Sequence, residues 1–303
     1  MRRLGLSVTL LVSCLLSACG TTAPAPAPGG GSVIQVVTAE NFWGSIAAQV
    51  GGSHVHVTNI IASPAADPHD YEYTAQDART VSDAQYVIIN GAGYDPWAEK
   101  LLAASPMSGR QILNVGTFLG KHVGDNPHLW YNPDYVTAVA MKIRDDLTAR
   151  DPHDASAIAQ TAQRFLTSDL QAYHSLITDI KARFGGTPVG ATESIFAYLA
   201  PALGLNLITP PSYLKAVSEG ADISAGDEAT VEEQIKLHQI KVLIYNSQNT
   251  PNNITAVINL AKAQGIPVAT ITETLTPAGA TYQAWQATQL SSIQAALAKA
   301  TGK

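Results

Sequence analysis

Between residues 151 and 184 apolar side chains recur at three- and four-residue steps: Ala155, Ile158, Ala162, Phe165, Leu166, Leu170, Tyr173, Leu176, Ile177, Ile180 and Phe184. That spacing writes one apolar stripe along an α-helix. Both ends are signed. Asp151 is placed to cap the first turn, Pro152 suits the first helical position, and Asp154 adds negative charge where the helix dipole favours it. Lys181 and Arg183 fall in the last turn, and Gly185-Gly186 before Thr187-Pro188 forbids continuation. The pattern predicts one uninterrupted helix, roughly 50 Å long at about 1.5 Å per residue. A helix of that length at mid-chain, with strand and helix signals on both sides, predicts a spine joining two lobes.

Short β-branched runs alternate with helical patterns on each side of it. Strands are predicted over 33–38, 54–61, 85–90 and 111–115, then over 188–191, 206–208, 241–245 and 268–271. Helices are predicted near 42–50, 75–82, 96–104 and 133–149, then near 195–202, 229–238, 252–264 and 282–300. Strands separated by helical crossovers, many of them continuous apolar runs, imply parallel sheets covered on both faces. The expected fold is α/β: two lobes, each a parallel β-sheet flanked by helices, joined by one long spine α-helix. The carboxyl ends of the two sets of strands then face a shared cleft, where a ligand is expected.

The first residues follow a different logic. Arg2 and Arg3 precede an apolar run over 4–16, and Leu16-Ser17-Ala18-Cys19 closes it. That is a leader too short for a stable membrane span, with small residues before a cysteine as in a bacterial lipobox. Cleavage before Cys19 and lipid attachment to it are expected. Residues 21–32 are Pro, Ala, Gly, Ser and Thr without charge, a spacer between lipid and body. The expected organisation is a lipoprotein-type leader over 1–18, Cys19 and a linker to 32, a first lobe over 33–150, the spine over 151–186 and a second lobe over 187–303.

Cysteine and charge usage narrow the class. Cys14 leaves with the leader, so Cys19 has no internal partner and the exported body rests on its apolar core. Removing Arg2 and Arg3 from the 18 basic residues leaves 16 against 24 acidic, a net of −8. No basic cluster or basic helix is present, which argues against a nucleic-acid partner.

Two loops carry the candidate chemistry. Asp67-Pro68-His69-Asp70-Tyr71-Glu72 follows a predicted strand, and Asn126-Pro127-His128-Leu129-Trp130 precedes a predicted helix. In each, proline fixes the backbone just before a histidine, which suits an imidazole held ready for a metal. Asp151-Pro152-His153-Asp154 repeats the residues of the first loop, but there it opens the spine, and His153 is read as a helix-start residue. His54 and His56 alternate with valine on a predicted strand and are assigned one solvated face. His174 and His238 lie at no ligand-like spacing, and His122 is read as a surface loop residue.

These two loops resemble those of the metal-binding solute-binding proteins of zinc/manganese ABC transporters. The resemblance extends from Val36 to about Leu297 and includes Asn90-Gly91-Ala92-Gly93-Tyr94-Asp95-Pro96-Trp97, the spine, and Ile266-Pro267-Val268-Ala269-Thr270-Ile271-Thr272-Glu273. It implies two α/β lobes bridged by one long helix. It also implies a metal site in which His69 and His128 match the histidines of the first lobe. Glu193, in Ala191-Thr192-Glu193-Ser194, matches a third position that is His or Glu among relatives, and Glu273 matches a fourth that is usually Asp in manganese-type members. Taken without the resemblance, Glu193 reads as a helix-start charge and Glu273 as a loop charge. Ala75 stands where relatives often carry proline, Asn132 where Asp is common, and the His-rich loop of many zinc-type members is missing.

Two neutral imidazoles and two carboxylates balance a divalent ion. The set suits Zn2+ if each carboxylate gives one oxygen, and Mn2+ or Fe2+ if they chelate. The implied function is capture of Zn2+ or Mn2+ outside the cell and delivery to an ABC transporter permease, by a monomer lipid-anchored to the outer face of the membrane or on its periplasmic side. The alternative is a metal-dependent hydrolase on the same residues; it lacks a helical His-Glu-x-x-His arrangement, and four protein ligands leave little room for an activated water. Glu273, on a loop after the last predicted strand, is expected to be the ligand that moves on release.

Overall fold

The computed structural model describes residues 32–303 except 64, 65, 67, 69, 70 and 278. The leader, Cys19, nearly all of the linker and His69 lie outside the described residues.

All eight predicted strands form. In the first half they are β1 (Ile34–Glu40), β2 (Val55–Ile61), β3 (Tyr86–Ile89) and β4 (Gln111–Asn114), parallel throughout in the order β2-β1-β3-β4. In the second half β5 (Pro188–Ala191), β6 (Asn206–Leu207), β7 (Val242–Asn246) and β8 (Val268–Ile271) repeat that order as β6-β5-β7-β8. Each sheet therefore has a switch point beside its first strand, where crevices open at the carboxyl ends. Both faces of the first sheet are buried. Ile34, Val36, Tyr86 and Ile88 enter the main core, while Val37, Ala39, Val87 and Ile89 pack with Trp97 and Leu101 on the other side.

The helices of the first lobe are α1 (Asn41–Gly51), α2 (Ala75–Ser82), α3 (Pro96–Ala104), the single turn α4 (Val115–Phe118) and α5 (Pro133–Arg150). Thr74 and Asp77 close a reciprocal capping box on α2. Asn132 caps α5 by accepting from the amides of Asp134 at 2.9 Å and Tyr135 at 3.3 Å, so asparagine at this position keeps the cap.

The spine forms, but not as one regular helix. It runs as α6 (Ala155–Arg164), a π-helical turn over Phe165–Asp169, and α7 (Gln171–Phe184). The amide of Leu170 donates to the carbonyl of Phe165 at 3.0 Å, five residues back. The cause is in the stripe. Phe165 and Leu170 are both fully buried, and a five-residue step overshoots one face of a regular helix by about 140°. The wider π turn returns Leu170 to the core face. Leu166 masked the gap in the sequence, yet it is only half-buried.

The spine also begins later than predicted. Asp154 is committed elsewhere: its carboxylate meets His153 Nδ1 at 2.8 Å and His54 Nδ1 at 2.9 Å, and it caps no amide. His54 is accordingly part of a tie between the first lobe and the spine, in a 3-10 turn (Gly52–His54), and does not share the exposed face of His56.

The second lobe adds α8 (Leu199–Ala202), α9 (Pro211–Ser218), α10 (Ala225–Lys236), α11 (Asn252–Ala263) and α12 (Tyr282–Thr301). The helix predicted near 195–202 divides into a 3-10 turn (Ser194–Ala197) and α8, whose Pro201 cannot donate a backbone hydrogen bond. Helix α9 was not among the predicted elements; Pro211 sits at the helix start and Tyr213, Leu214 and Val217 are buried.

The two lobes share one core and many hydrogen bonds. In the spine, α6 packs on α1 and α5 while α7 packs on α12. Gln49 and Gln283 exchange amide hydrogen bonds at 3.0 and 2.6 Å, and the Tyr282 hydroxyl donates to the carbonyl of Trp130 at 2.6 Å.

Glu40, at the end of β1, is fully buried, and burial followed by the charge of Asp95 raises its carboxyl well above the ordinary range. Asp95 accepts from the amides of Asn90 and Gly91, both at 2.7 Å, yet burial still pushes it up to about 6. A raised folded pKa stabilises below the unfolded value and is lost as pH rises through the folded one. The Glu40→Gln variant should therefore gain on the wild type as pH rises from about 5 to about 8, by at most about 1.4 kcal/mol per pH unit. Thermal melts across that range, with metal removed by chelation, check this; a stability difference independent of pH would contradict it.

Candidate metal centre

Three of the four predicted ligands are described, and they converge. His128, Glu193 and Glu273 are buried, with one ligand atom from each lying within 4.8 Å of the others. His69 lies outside the described residues. Its neighbour Pro68 is described, and its carbonyl accepts from Trp97 Nε1 at 3.1 Å.

His128 opens a 3-10 turn (Leu129–Tyr131) that leads into α5. Its Nδ1 lies 2.8 Å from Asn126 Oδ1, which also accepts from the His128 amide at 3.1 Å. An amide oxygen can only accept, so the proton sits on Nδ1 and the lone pair of Nε2 faces the carboxylates. Nε2 is 3.4 Å from Glu273 Oε1. Burial lowers the His128 pKa to about 4, with the charge of Glu193 acting against it, so the imidazole is neutral at neutral pH. Asn126 in turn donates from Nδ2 to the carbonyl of Ser194 at 2.8 Å, and Tyr198 donates to the carbonyl of Asn126 at 3.1 Å. A first-lobe histidine is thus fastened to the second lobe.

Glu193 follows β5 in extended backbone and occupies the cap position of the 3-10 turn, but its side chain caps nothing. It points instead to the end of β7, where Asn246 Nδ2 donates to Oε1 and Asn249 Nδ2 to Oε2, each at 2.9 Å. Burial, then the charge of Glu273, push Glu193 up to about 7, while His128 and the two amides act in the other direction. The helix-start reading of this residue does not describe its contacts.

Glu273 follows β8 on a loop, as expected, but that loop is not loose. Four consecutive amides donate to side chains: Thr272 to Gln289 at 2.6 Å, Glu273 and Thr274 to Gln248 at 2.6 and 3.0 Å, and Leu275 to Asn41 at 3.2 Å. The Tyr131 hydroxyl adds a bond to the carbonyl of Thr272 at 2.8 Å. Asn41 and Tyr131 belong to the first lobe, so this loop is held from both sides. The expectation that Glu273 is the mobile ligand rested on a loose loop, whereas the backbone of this loop is tied by hydrogen bonds.

Sequence reasoning missed the supporting residues Asn126, Asn246, Gln248, Asn249 and Gln289. For Asn126, Asn246, Gln248 and Asn249 the one signal was position, beside the Pro-His pair or just after a strand; Gln289, within α12, carried none. Chemically the site is one oriented imidazole and two carboxylates in a buried pocket, a set that fits a borderline divalent cation.

Comparison with known proteins gives the family and the fold. Residues 36–296 match the family described as zinc-uptake complex component A periplasmic. The manganese-binding lipoprotein MntA of Halalkalibacterium halodurans is 27% identical over 218 residues, covering 69% of this chain and 70% of that protein. The zinc-binding lipoprotein AdcA of Streptococcus pneumoniae is 24% identical over 258 residues, 77% of this chain and 50% of AdcA. Among solved structures, the Mn-bound periplasmic metal binding protein from Candidatus Liberibacter asiaticus superposes with a TM-score of 0.73 at 22% identity, covering 87% of this chain and 99% of that one, a likeness of fold. The chain belongs to the zinc-uptake complex component A periplasmic family.

Proposed function

We propose that this protein captures a divalent transition metal ion, Zn2+ or Mn2+ with Fe2+ also accommodated, outside the cytoplasm and delivers it to the permease of an ABC transporter. The observation that carries the proposal is the convergence of buried His128, Glu193 and Glu273 between the lobes. His69 completes the ligand set. The ion is cargo, bound by four side chains from both lobes. Relatives named for manganese, zinc and iron binding fit this range of cargo. Nothing among the described residues favours the hydrolase alternative.

Cleavage before Cys19 and its lipidation tether the mature chain, as a monomer, to the outer face of the membrane or its periplasmic side. No helix among the described residues is long and apolar enough to cross a bilayer. The shared core and the hydrogen bonds between lobes limit closure to a small movement, because opening the cleft widely would break them together.

His69→Ala and His128→Ala should each lose the one ion bound per chain. Elemental analysis after dialysis measures this, and retained stoichiometry in both would remove them from the site. Asn126→Ala, which frees the imidazole of His128 to rotate or change tautomer, should cost about 10- to 100-fold in metal affinity by chelator competition. Binding should also raise thermal stability, by about 4 kcal/mol at roughly a thousandfold excess over Kd. A melting temperature unmoved by Mn2+ or Zn2+ after chelator treatment would refute capture at this site.

A further inference from the structure

We infer that the turn Asn246-Ser247-Gln248-Asn249, at the end of β7, sets the metal preference of the site by holding Glu193 as a two-oxygen ligand and fixing the position of Glu273 beside it. The inference rests on the proposed capture of a divalent ion. Strand β7 lies between β5, which delivers Glu193, and β8, which delivers Glu273. Its terminal turn therefore touches both carboxylate-bearing segments.

The contacts divide cleanly. Asn246 and Asn249 hold the Glu193 side chain, one amide on each oxygen at 2.9 Å. Gln248 Oε1 holds the backbone of Glu273 and Thr274, and Gln248 Nε2 donates to Thr274 Oγ1 at 2.8 Å. The turn is itself braced. Asn246 is fully buried, and its Oδ1 accepts from the Gln248 amide at 2.9 Å, which directs its Nδ2 at Glu193.

Two donors on two different oxygens do what one donor does not. A carboxylate held at one oxygen swings about its last bond and presents the other oxygen alone. Held at both, it loses a hydrogen bond whenever it turns edge-on, so both oxygens stay presented together. Neutral amides achieve this without cancelling the charge that a cation needs, whereas Lys or Arg would cancel it. A chelating Glu193 brings the donor count above the four that Zn2+ prefers and towards the higher number that suits Mn2+.

The test loads wild type and Asn249→Ala with Co2+, whose visible bands are intense when it is four-coordinate and weak at higher coordination, and measures Mn2+ and Zn2+ affinities by competition. The wild type should give weak bands. Asn249→Ala, which leaves Oε2 without its amide, should give intense bands and a Zn2+/Mn2+ affinity ratio raised about tenfold. Loss of packing alone would lower both affinities together and leave the ratio fixed, and that result overturns the inference. So do intense bands in the wild type. Should Asn249→Ala not fold, Asn249→Leu, nearly isosteric and without a donor, gives the same readout. A wild type that binds no ion would instead overturn the capture itself, and this inference with it.

Discussion

The structure around the cleft depends on keeping two carboxylates close together in a buried place. Two full negative charges within the 4.8 Å spanned by the cluster repel by roughly 3–4 kcal/mol at an effective dielectric near 20. Desolvation adds to that, as the rise of Glu193 to about 7 records. Left to themselves the two groups would separate or take up protons. The surrounding hydrogen bonds oppose separation: Glu193 is gripped at both oxygens, and Glu273 is carried on four tied amides. Neutral amides supply most of these contacts, so the repulsion is confined without being neutralised. A divalent ion is the natural relief.

The same logic explains why the lobes are joined so firmly. His128 comes from the first lobe and the two carboxylates from the second, and in the proposed site their donor atoms would have to meet within a few tenths of an ångström of a metal's preferred distances. Tyr131 and Asn41 reach from the first lobe to the Glu273 loop, while Ser194 and Tyr198 reach from the second to Asn126. His128 and Glu273 are thus each positioned in part by the lobe opposite to their own, whereas Glu193 is held within its own lobe by Asn246 and Asn249. A spine of two helices and a π turn, with Phe165, Leu170 and Tyr173 fully buried, sets the separation of the lobes.

What was legible in the sequence was whatever depends on local pattern. The eight strands were readable because buried parallel strands are short β-branched runs, and α2, α5 and α12 because their caps are written in neighbouring residues. His128 announced itself through Pro127. Glu193 and Glu273 did not, since a lone acidic residue after a strand is ordinary, and only the family resemblance singled them out. The π turn was hidden because Leu166 filled the stripe in one dimension while Leu170 filled it in three. The amides of Asn246, Gln248 and Asn249 were silent for another reason: a hydrogen bond between distant segments leaves no periodicity behind.

The anchoring of Glu273 alters how release has to work. A ligand on a loose loop would let the ion go by swinging away, and the chain position of Glu273 suggested this. Its loop instead holds bonds to α1, to α12 and to the turn after β7, so moving it means breaking several at once. His128 is similarly tied through Asn126 to Ser194. The bonds of Asn41, Tyr131 and Ser194 cross between the lobes, and a rotation of one lobe against the other strains them in concert. Under the proposed capture, release would require the ties on His128 and Glu273 to loosen together rather than one carboxylate to depart alone.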